Sequence, residues 1–198
     1  MKSSYLGASI ALACALGLSA CGGSSGNLLL SGNAYGVTKD TLVLQNNGAH
    51  DVVISPAAVQ PIYFYFPDLI ETDSDYNVTV KSIPSNAEKC EVTNGKGRSA
   101  FNVSNVVVVC TLKMHRLAGS ITGLGNASGL IVVNGSDRKP IDPGATSFEM
   151  SKVGEDAAYG ITILQQPANL TCSVSPNGTG RMQTADITDI AISCGPAA

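Results

Sequence analysis

Cysteine is the residue type of this chain with the widest chemical range, because thiols form disulfides, bind metals and act as nucleophiles. The sequence contains six cysteines, and two of them, Cys14 and Cys21, lie near the N-terminus. The other four are Cys90, Cys110, Cys172 and Cys194. None of these four belongs to a C-x-x-C pair, and no histidine stands at metal-ligand spacing from them. The spacing therefore favours structural disulfides over a redox or metal site, although four cysteines allow three pairings.

Histidine offers little further chemistry, since the chain has only His50 and His115. The sequence also lacks the glycine motifs that bind phosphate or dinucleotides. A Ser–His–Asp set depends on spatial proximity rather than on sequence order, so hydrolysis is an alternative. We predict no catalytic residues, no metal ligands and no cofactor, and we expect that the protein is not an enzyme.

An acidic bend at residues 73–77, with the sequence D-S-D-Y-N, has the spacing that opens a calcium-binding loop. The glycine and the late glutamate that an EF-hand requires are replaced by Val78 and Pro84. A calcium site of another kind that includes Glu71 is an alternative. We expect a solvated acidic bend at this position instead.

Aromatic residues are concentrated in the segment Pro61–Pro67, which reads P-I-Y-F-Y-F-P. In a strand, Tyr63 and Tyr65 point to one face and the two phenylalanines to the other. The phenylalanines match Phe148 and Met150 at an offset of about 84 residues, which indicates that they face the core. The tyrosines would then form an exposed pair suited to a sugar, peptide or protein partner. The alternative is an ordinary sandwich strand whose tyrosines are partly covered.

The N-terminus indicates export. Lys2 is followed by a short apolar run, Leu6–Leu18, which is too short and too rich in small residues for a permanent membrane span. The run ends in L-S-A-C at Cys21, which resembles the bacterial lipobox. The resemblance implies a signal peptide over residues 1–20, lipidation of Cys21 and a membrane partner through the lipid anchor. The alternative is an ordinary secretory signal cut after Ala20.

The residues that follow Cys21 indicate which membrane of the cell envelope holds the protein. Gly22 stands where an aspartate would, by resemblance to enterobacterial sorting, retain the protein in the inner membrane, so the outer membrane is favoured. Residues 21–27 are interpreted as the lipidated cysteine and a flexible tether, because they are rich in glycine and serine. The sequence leaves open which face of the outer membrane the protein occupies.

The rest of the chain contains an internal repeat. Residues 30–48 align with residues 117–135, with glycines at equivalent positions. The shared features, in order, are Leu30/Leu117, Gly32/Gly119, Gly36/Gly123, Asn47/Asn134, Gly48/Gly135, Y-N-V-T-V/Y-G-I-T-I from Tyr76 and Tyr159, and N-G-K-G-R/N-G-T-G-R from Asn94 and Asn177. These matches predict two tandem modules, residues 28–110 and 117–196, joined by a short linker.

The repeat also suggests roles for several residues. Each module has one early and one late cysteine, so we predict the disulfides Cys90–Cys110 and Cys172–Cys194. An arginine recurs at one repeat position, as Arg98 and Arg181, and we expect it to pair with a carboxylate or to pack its stem rather than to bind an anion.

Valine-, isoleucine- and threonine-rich runs, separated by Asn-Gly, Ser-Gly and proline, predict β-strands throughout both modules. Asn94-Gly95 and Asn177-Gly178 are predicted to form tight hairpins. Tyr76 and Tyr159 each follow a polar bend and resemble the tyrosine corner of immunoglobulin-like and fibronectin type III sandwiches, which implies a hydroxyl bonded to upstream backbone. The predicted fold class is all-β, with two tandem small immunoglobulin-like β-sandwich domains of about seven strands each.

The late strand of each module carries a further resemblance. It reads N-V-x-N-V-x-V-x-C over residues 102–110 and is substituted with aspartate and isoleucine over residues 186–194. The chain resembles bacterial lipoproteins that carry tandem β-sandwich repeats with this strand. The resemblance implies a fold and a compartment but no activity.

Charge and composition limit the function. The formal net charge is −3, which argues against binding to nucleic acid, because that requires a basic surface. We expect a membrane-anchored lipoprotein that acts as a non-enzymatic surface or periplasmic binding or adhesion module for an unknown protein or glycan. The alternative is a structural spacer or an accessory subunit of a cell-envelope complex.

Overall fold

Strands account for nearly all regular structure in the part of the chain that the structure describes. The computed structural model describes residues 27–197, so the predicted signal peptide and Cys21 lie outside the described residues. We use module 1 for residues 28–110 and module 2 for residues 117–196. The strands of module 1 are β1 Leu30–Tyr35, β2 Leu42–Asn46, β3 Ala49–Ile54, β4 Ile62–Tyr65, β5 Asp75–Ser82, β6 Ala87–Thr93, β7 Lys96–Arg98 and β8 Val103–Leu112.

Module 2 repeats this organisation. Its strands, with β9 of the linker, are β9 Met114–His115, β10 Leu117–Thr122, β11 Ile131–Asn134, β12 Asp137–Pro140, β13 Ser147–Glu149, β14 Val153–Gly154, β15 Ala158–Gln165, β16 Leu170–Val174, β17 Thr179–Arg181 and β18 Ile187–Pro196. A 3₁₀ turn lies at Pro176–Gly178. Within residues 27–197 no helix is long and apolar enough to span a bilayer.

Module 1 is built from two four-stranded sheets. One has the strand order β4-β1-β8-β6 and the other has the order β3-β2-β5-β7. All neighbouring strands are antiparallel except β1 and β8, which are parallel. A parallel pair needs a long connection, and here the rest of the module lies between the two strands. Apolar residues from the inner faces of both sheets form the core, among them Leu30, Leu44, Phe64, Val78 and Val106.

Alternation along the strands explains the sandwich. In β2, Leu42 and Leu44 are fully buried while Val43 between them is half-buried. In β5, Tyr76 and Val78 are buried and Asn77 is exposed, as the alternation predicts. Each sheet therefore presents one apolar face, and two such faces must cover one another.

Module 2 has equivalent sheets, with the orders β13-β10-β18-β16 and β12-β11-β15-β17, and β10 is again parallel to β18. A separate two-stranded ribbon joins β9 to β14. The all-β fold class predicted from the sequence is confirmed, as sandwiches of the immunoglobulin-like architecture in its broad sense, which covers several topologies. Each sandwich has eight strands rather than about seven. That the modules fold independently stays a prediction.

Two disulfides cross-link neighbouring strands. Cys90 of β6 lies directly opposite Cys110 of β8, and Cys172 of β16 lies directly opposite Cys194 of β18. Both pairs are bonded, at sequence separations of 20 and 22 residues. The predicted pairing is confirmed, and each bond ties the edge strand of a sheet to its neighbour.

The hairpins predicted at the two Asn-Gly pairs are wrong. Residues 94–95 connect β6 to β7, and these strands belong to opposite sheets. The glycine is required by a close approach instead, because a Cβ on Gly95 would lie 2.5 Å from a methyl of Val92. Gly178 has the same relation to Val174. The tight hairpins of the two modules lie at Asn47-Gly48 and at Gly135-Ser136.

The tyrosine corner predicted at Tyr159 is also wrong. The hydroxyl of Tyr159 donates to the backbone oxygen of Asn177, 18 residues downstream rather than upstream. The cross-strand neighbours of Tyr76 and Tyr159 are Gly97 and Gly180. In each module the tyrosine ring lies against the glycine, where a Cβ would meet the hydroxyl within 3.0 Å. The recurring Tyr and the second glycine of N-G-x-G-R therefore form one packing unit.

Candidate functional site

A groove lies where the two sheets of module 1 end side by side. Strand β3 is the edge of one sheet and β4 is the edge of the other. The groove has a volume of ≈ 420 Å³ and is lined by Asp51, Val52, Val53, Ile54, Ser55, Ile62, Tyr63, Phe64, Tyr65 and Pro67. We call it the tyrosine groove.

The side chains of β4 alternate between the core and this surface. Phe64 and Phe66 are buried and meet edge to face, with ring centroids 6.2 Å apart. Tyr63 and Tyr65 are 56% and 57% exposed, and their ring centroids are 6.5 Å apart. The orientation predicted from the sequence is confirmed. The role of the tyrosines in binding a partner stays a prediction.

The backbone of β4 is open on the side away from β1. The amide of Phe66 donates to the oxygen of Leu30, and Phe64 lies opposite Gly32 in the same antiparallel register. Because N–H and C=O groups of such a strand alternate in direction, those of Tyr63 and Tyr65 point away from the sheet. Pro61 and Pro67 bound this open stretch and have no N–H to donate.

Module 2 has a groove at the equivalent place, between β12 and β13, with a volume of ≈ 510 Å³. We call it the charged groove. Phe148 lies opposite Gly119 as Phe64 lies opposite Gly32, so Ser147 and Glu149 occupy the positions of the two tyrosines. The two grooves therefore lie at structurally equivalent positions, but different side chains line them.

The charged groove contains an ion pair between Arg116 and Glu149. Arg116 donates to both carboxylate oxygens of Glu149, at 2.7 and 3.2 Å. The hydrogen bonds from Arg116 lower the pKa of Glu149, and those to Glu149 raise the pKa of Arg116. On the opposite side, Lys139 and Pro140 occupy the positions of Val52 and Val53. Charged side chains and proline are the usual protection of an exposed sheet edge.

The structural equivalence corrects the sequence alignment at one point. The side-chain oxygen of Asn46 accepts from the amide of Asn77, and that of Asn134 accepts from the amide of Gly160. Asn46, rather than Asn47, is therefore the counterpart of Asn134. His50 has a φ of 51° and is an extra residue in β3, where the register shifts. Because β3 contains this extra residue, the rest of β3 lies at the same repeat positions as β12.

The acidic bend is held by an arginine. Arg98 donates to both carboxylate oxygens of Asp73, at 2.6 and 2.8 Å, as expected for the recurring arginine. These hydrogen bonds lower the pKa of Asp73. Arg181 differs, since it donates to the backbone oxygen of Asp156. Over residues 27–197 no group of three or more His, Cys, Asp or Glu side chains is placed to hold a metal ion.

The two histidines lie in different surroundings. His50 contacts Asp68 at 2.8 Å, and both side chains are exposed. His115 is in the linker strand β9, where it contacts the buried carboxylate of Glu155 at 3.5 Å. The structure does not bring the histidines to the tyrosine groove, whose lining they do not join.

Sequence reasoning missed Val53, which lines the tyrosine groove and is 61% exposed. The internal repeat could have identified this residue. Comparison of β3 with β12 shows an apolar pair in one module where the other has lysine and proline.

No protein-family model matches the chain, and no curated protein matches it. Among solved structures, the chain is similar to the major pilin protein T-13 of Streptococcus pyogenes serotype GAS131465, with 10% sequence identity. The match covers 86% of this chain and 97% of the pilin, with a TM-score of 0.31. At that TM-score the similarity supports no conclusion about function.

Proposed function

We propose that this protein is a membrane-anchored lipoprotein of the cell envelope that acts as a non-enzymatic binding or adhesion module, and that its partner contacts the tyrosine groove. The supporting observation is that two structurally equivalent grooves are lined by different side chains. Both modules need an apolar core, but neither sandwich needs exposed aromatic rings at its edge, as Ser147 and Glu149 show in module 2.

The side chains of the tyrosine groove have the composition of an interaction surface. Tyrosines bury a large area at a small loss of conformational freedom and keep a hydroxyl for hydrogen bonding. Val53 extends the apolar surface across the groove from Tyr63 and Tyr65. Exposed tyrosines of this kind are enriched in binding interfaces relative to the rest of a protein surface.

We expect the double variant Tyr63→Ala plus Tyr65→Ala to lose at least about tenfold in cross-linked partner adducts, because interface tyrosines often contribute more than about 1 kcal/mol each. The measurement is cross-linking of the full-length chain in the cells that produce it, with adducts identified by mass spectrometry. The melting temperature should change little, since both side chains are exposed.

The matched control is Ser147→Ala plus Glu149→Ala, which changes the equivalent positions of the charged groove. It should leave the adducts unchanged. Equal loss in both variants, or no loss in the tyrosine variant, would contradict a role of the tyrosine groove in binding.

A second candidate function, a rigid spacer or accessory subunit, is supported by the junction between the modules. The amide of Lys113 donates to Asn86 of module 1, and the amide of Glu155 in module 2 donates to Lys113. The buried carboxylate of Glu155 lies 3.5 Å from His115 and 3.8 Å from Lys39. Such contacts limit rotation about the linker. A spacer should be insensitive to the tyrosine substitutions.

We expect Cys21→Ser to move the protein from the membrane fraction to the soluble fraction, because the lipid chains on Cys21 are the proposed anchor. Fractionation by centrifugation, with mass spectrometry of the N-terminal peptide, measures both localisation and lipidation. A matched control, Ser19→Ala, keeps the lipobox pattern and should remain in the membrane fraction. A wild-type N-terminal peptide that carries no lipid on Cys21 would count against the lipoprotein proposal.

Protease treatment of intact cells separates the two sides of the outer membrane. Cleavage of module 2 on intact cells would favour adhesion or extracellular binding. Protection until the cells are lysed would favour a periplasmic partner.

A further inference from the structure

The sequence of the open edge is close to a palindrome. The segment Pro61–Pro67 reads P-I-Y-F-Y-F-P, and in reverse it reads P-F-Y-F-Y-I-P. Only the exchange of Ile62 and Phe66 breaks the symmetry, and both are apolar. When a strand pairs antiparallel with a second copy of itself about a two-fold axis, each residue meets its mirror position. A palindrome is the pattern that is complementary to itself in that arrangement.

The free backbone groups of β4 have the same symmetry. The N–H and C=O groups of Tyr63 and Tyr65 point away from β1. About an axis through Phe64, Tyr63 of one copy lies opposite Tyr65 of the other, and such a pair exchanges both N–H···O bonds. Pro61 lies opposite Pro67 in this register. Since proline has no N–H, the pairing ends at the same place on both sides of the axis.

We infer that β4 pairs with β4 of a second copy of this chain, about a two-fold axis through Phe64, so that two four-stranded sheets become one continuous sheet. The inference rests on the proposed function, because it identifies the partner of the tyrosine groove as another copy of the protein. Tyrosines of the two copies would meet across the new strand pair, an arrangement that favours aromatic contacts.

The edge strand of module 1 is uncharged and palindromic, and the equivalent strand of module 2 is neither. The segment Pro61–Pro67 contains no Asp, Glu, Lys or Arg, so no like charges meet across the axis. In the charged groove, Glu149 is engaged by Arg116, and Lys139 lies on the neighbouring edge. The sequence A-T-S-F-E-M-S around Phe148 has no palindromic pattern. The self-complementary edge therefore belongs to module 1 alone.

Thiol cross-linking tests the register. The variants Tyr63→Cys and Tyr65→Cys, each in the full-length chain with its own tag, are produced singly and together. Directly opposed residues have Cα atoms about 5.5 Å apart, within disulfide range, whereas each residue lies about 7–8 Å from its own copy. We expect at least about fivefold more disulfide-linked dimer from the mixed pair than from either variant alone.

The matched control is the mixed pair Ser147→Cys and Glu149→Cys on β13, which should give no such dimer. Equal linkage from single and mixed variants would overturn the strand pairing. Sedimentation of the wild-type full-length chain in detergent is independent of the new thiols, and a monomer at every concentration would also overturn it.

The outcomes separate this inference from the proposed function. If the wild type is monomeric but the tyrosine-to-alanine variant loses its adducts with other molecules, the inference fails and the proposed function stands. If the wild type is monomeric and the variant loses nothing, both fail.

Discussion

Gly119→Ala is expected to lower the free energy of unfolding of module 2 by about 3 kcal/mol or more, at the upper end of the range for overpacked cores. A Cβ at this position would lie 1.9 Å from the backbone oxygen of Ile190 and 2.7 Å from the ring of Phe148. The ring can turn aside, but the carbonyl belongs to β18 and cannot move without separating the parallel strands β10 and β18. Urea unfolding followed by circular dichroism measures the loss.

Two variants make this result interpretable. Gly32→Ala is the equivalent change in module 1, where the Cβ would lie 2.1 Å from the oxygen of Val106, and it should have a similar effect. Gly195→Ala is the matched control, because no atom lies within 4 Å of its Cβ and its effect should be within about 0.5 kcal/mol. A mild effect of Gly119→Ala, comparable to that of Gly195→Ala, would show that the approach of β10 to β18 is looser than described.

Removal of the second disulfide, by Cys172→Ala plus Cys194→Ala, is expected to lower the free energy of unfolding by about 3 kcal/mol. The bond closes a loop of 22 residues and restricts the unfolded chain. The loss also weakens the edge strand β16 on its neighbour β18, because Cys172 is buried in the core of module 2. The measurement is a comparison of urea midpoints under non-reducing conditions.

The neighbouring cross-strand pair gives the control. Ser173 lies directly opposite Ser193, so Ser173→Ala plus Ser193→Ala changes two facing side chains of the same strands without removing a covalent bond. That variant should lose less than about 1 kcal/mol. A disulfide variant that is as stable as the serine variant would indicate that packing alone holds β16.

Several features were determined by the sequence because they depend on local residue pattern. Strand alternation put Phe64 and Phe66 on one face and Tyr63 and Tyr65 on the other, and the repeat match to Phe148 and Met150 indicated that the phenylalanines face the core, where they lie. The repeat and its single early and late cysteines established the disulfide pairing. The all-β class followed from the frequency of β-branched residues and turn signals.

Other features depended on contacts between distant parts of the chain. The Asn-Gly signal at residues 94–95 predicted a hairpin, but β6 and β7 pair with strands of two different sheets. The repeat identified Gly119 as a recurring glycine, but its cause is the close approach of β18, some 70 residues later in the sequence. A local signal identifies a flexible or small residue, but it does not identify what packs against that residue.

In the tyrosine groove, too, some features follow from local sequence and others depend on distant contacts. Residue order was enough to show that Tyr63 and Tyr65 share a face and that Pro61 and Pro67 bound their strand. The pairing of distant strands was needed to make β4 a sheet edge and to bring Val53 to the groove. The physical reason is that side-chain direction follows from the geometry of one strand, whereas an edge exists only when the pairing of all strands in the sheet is settled.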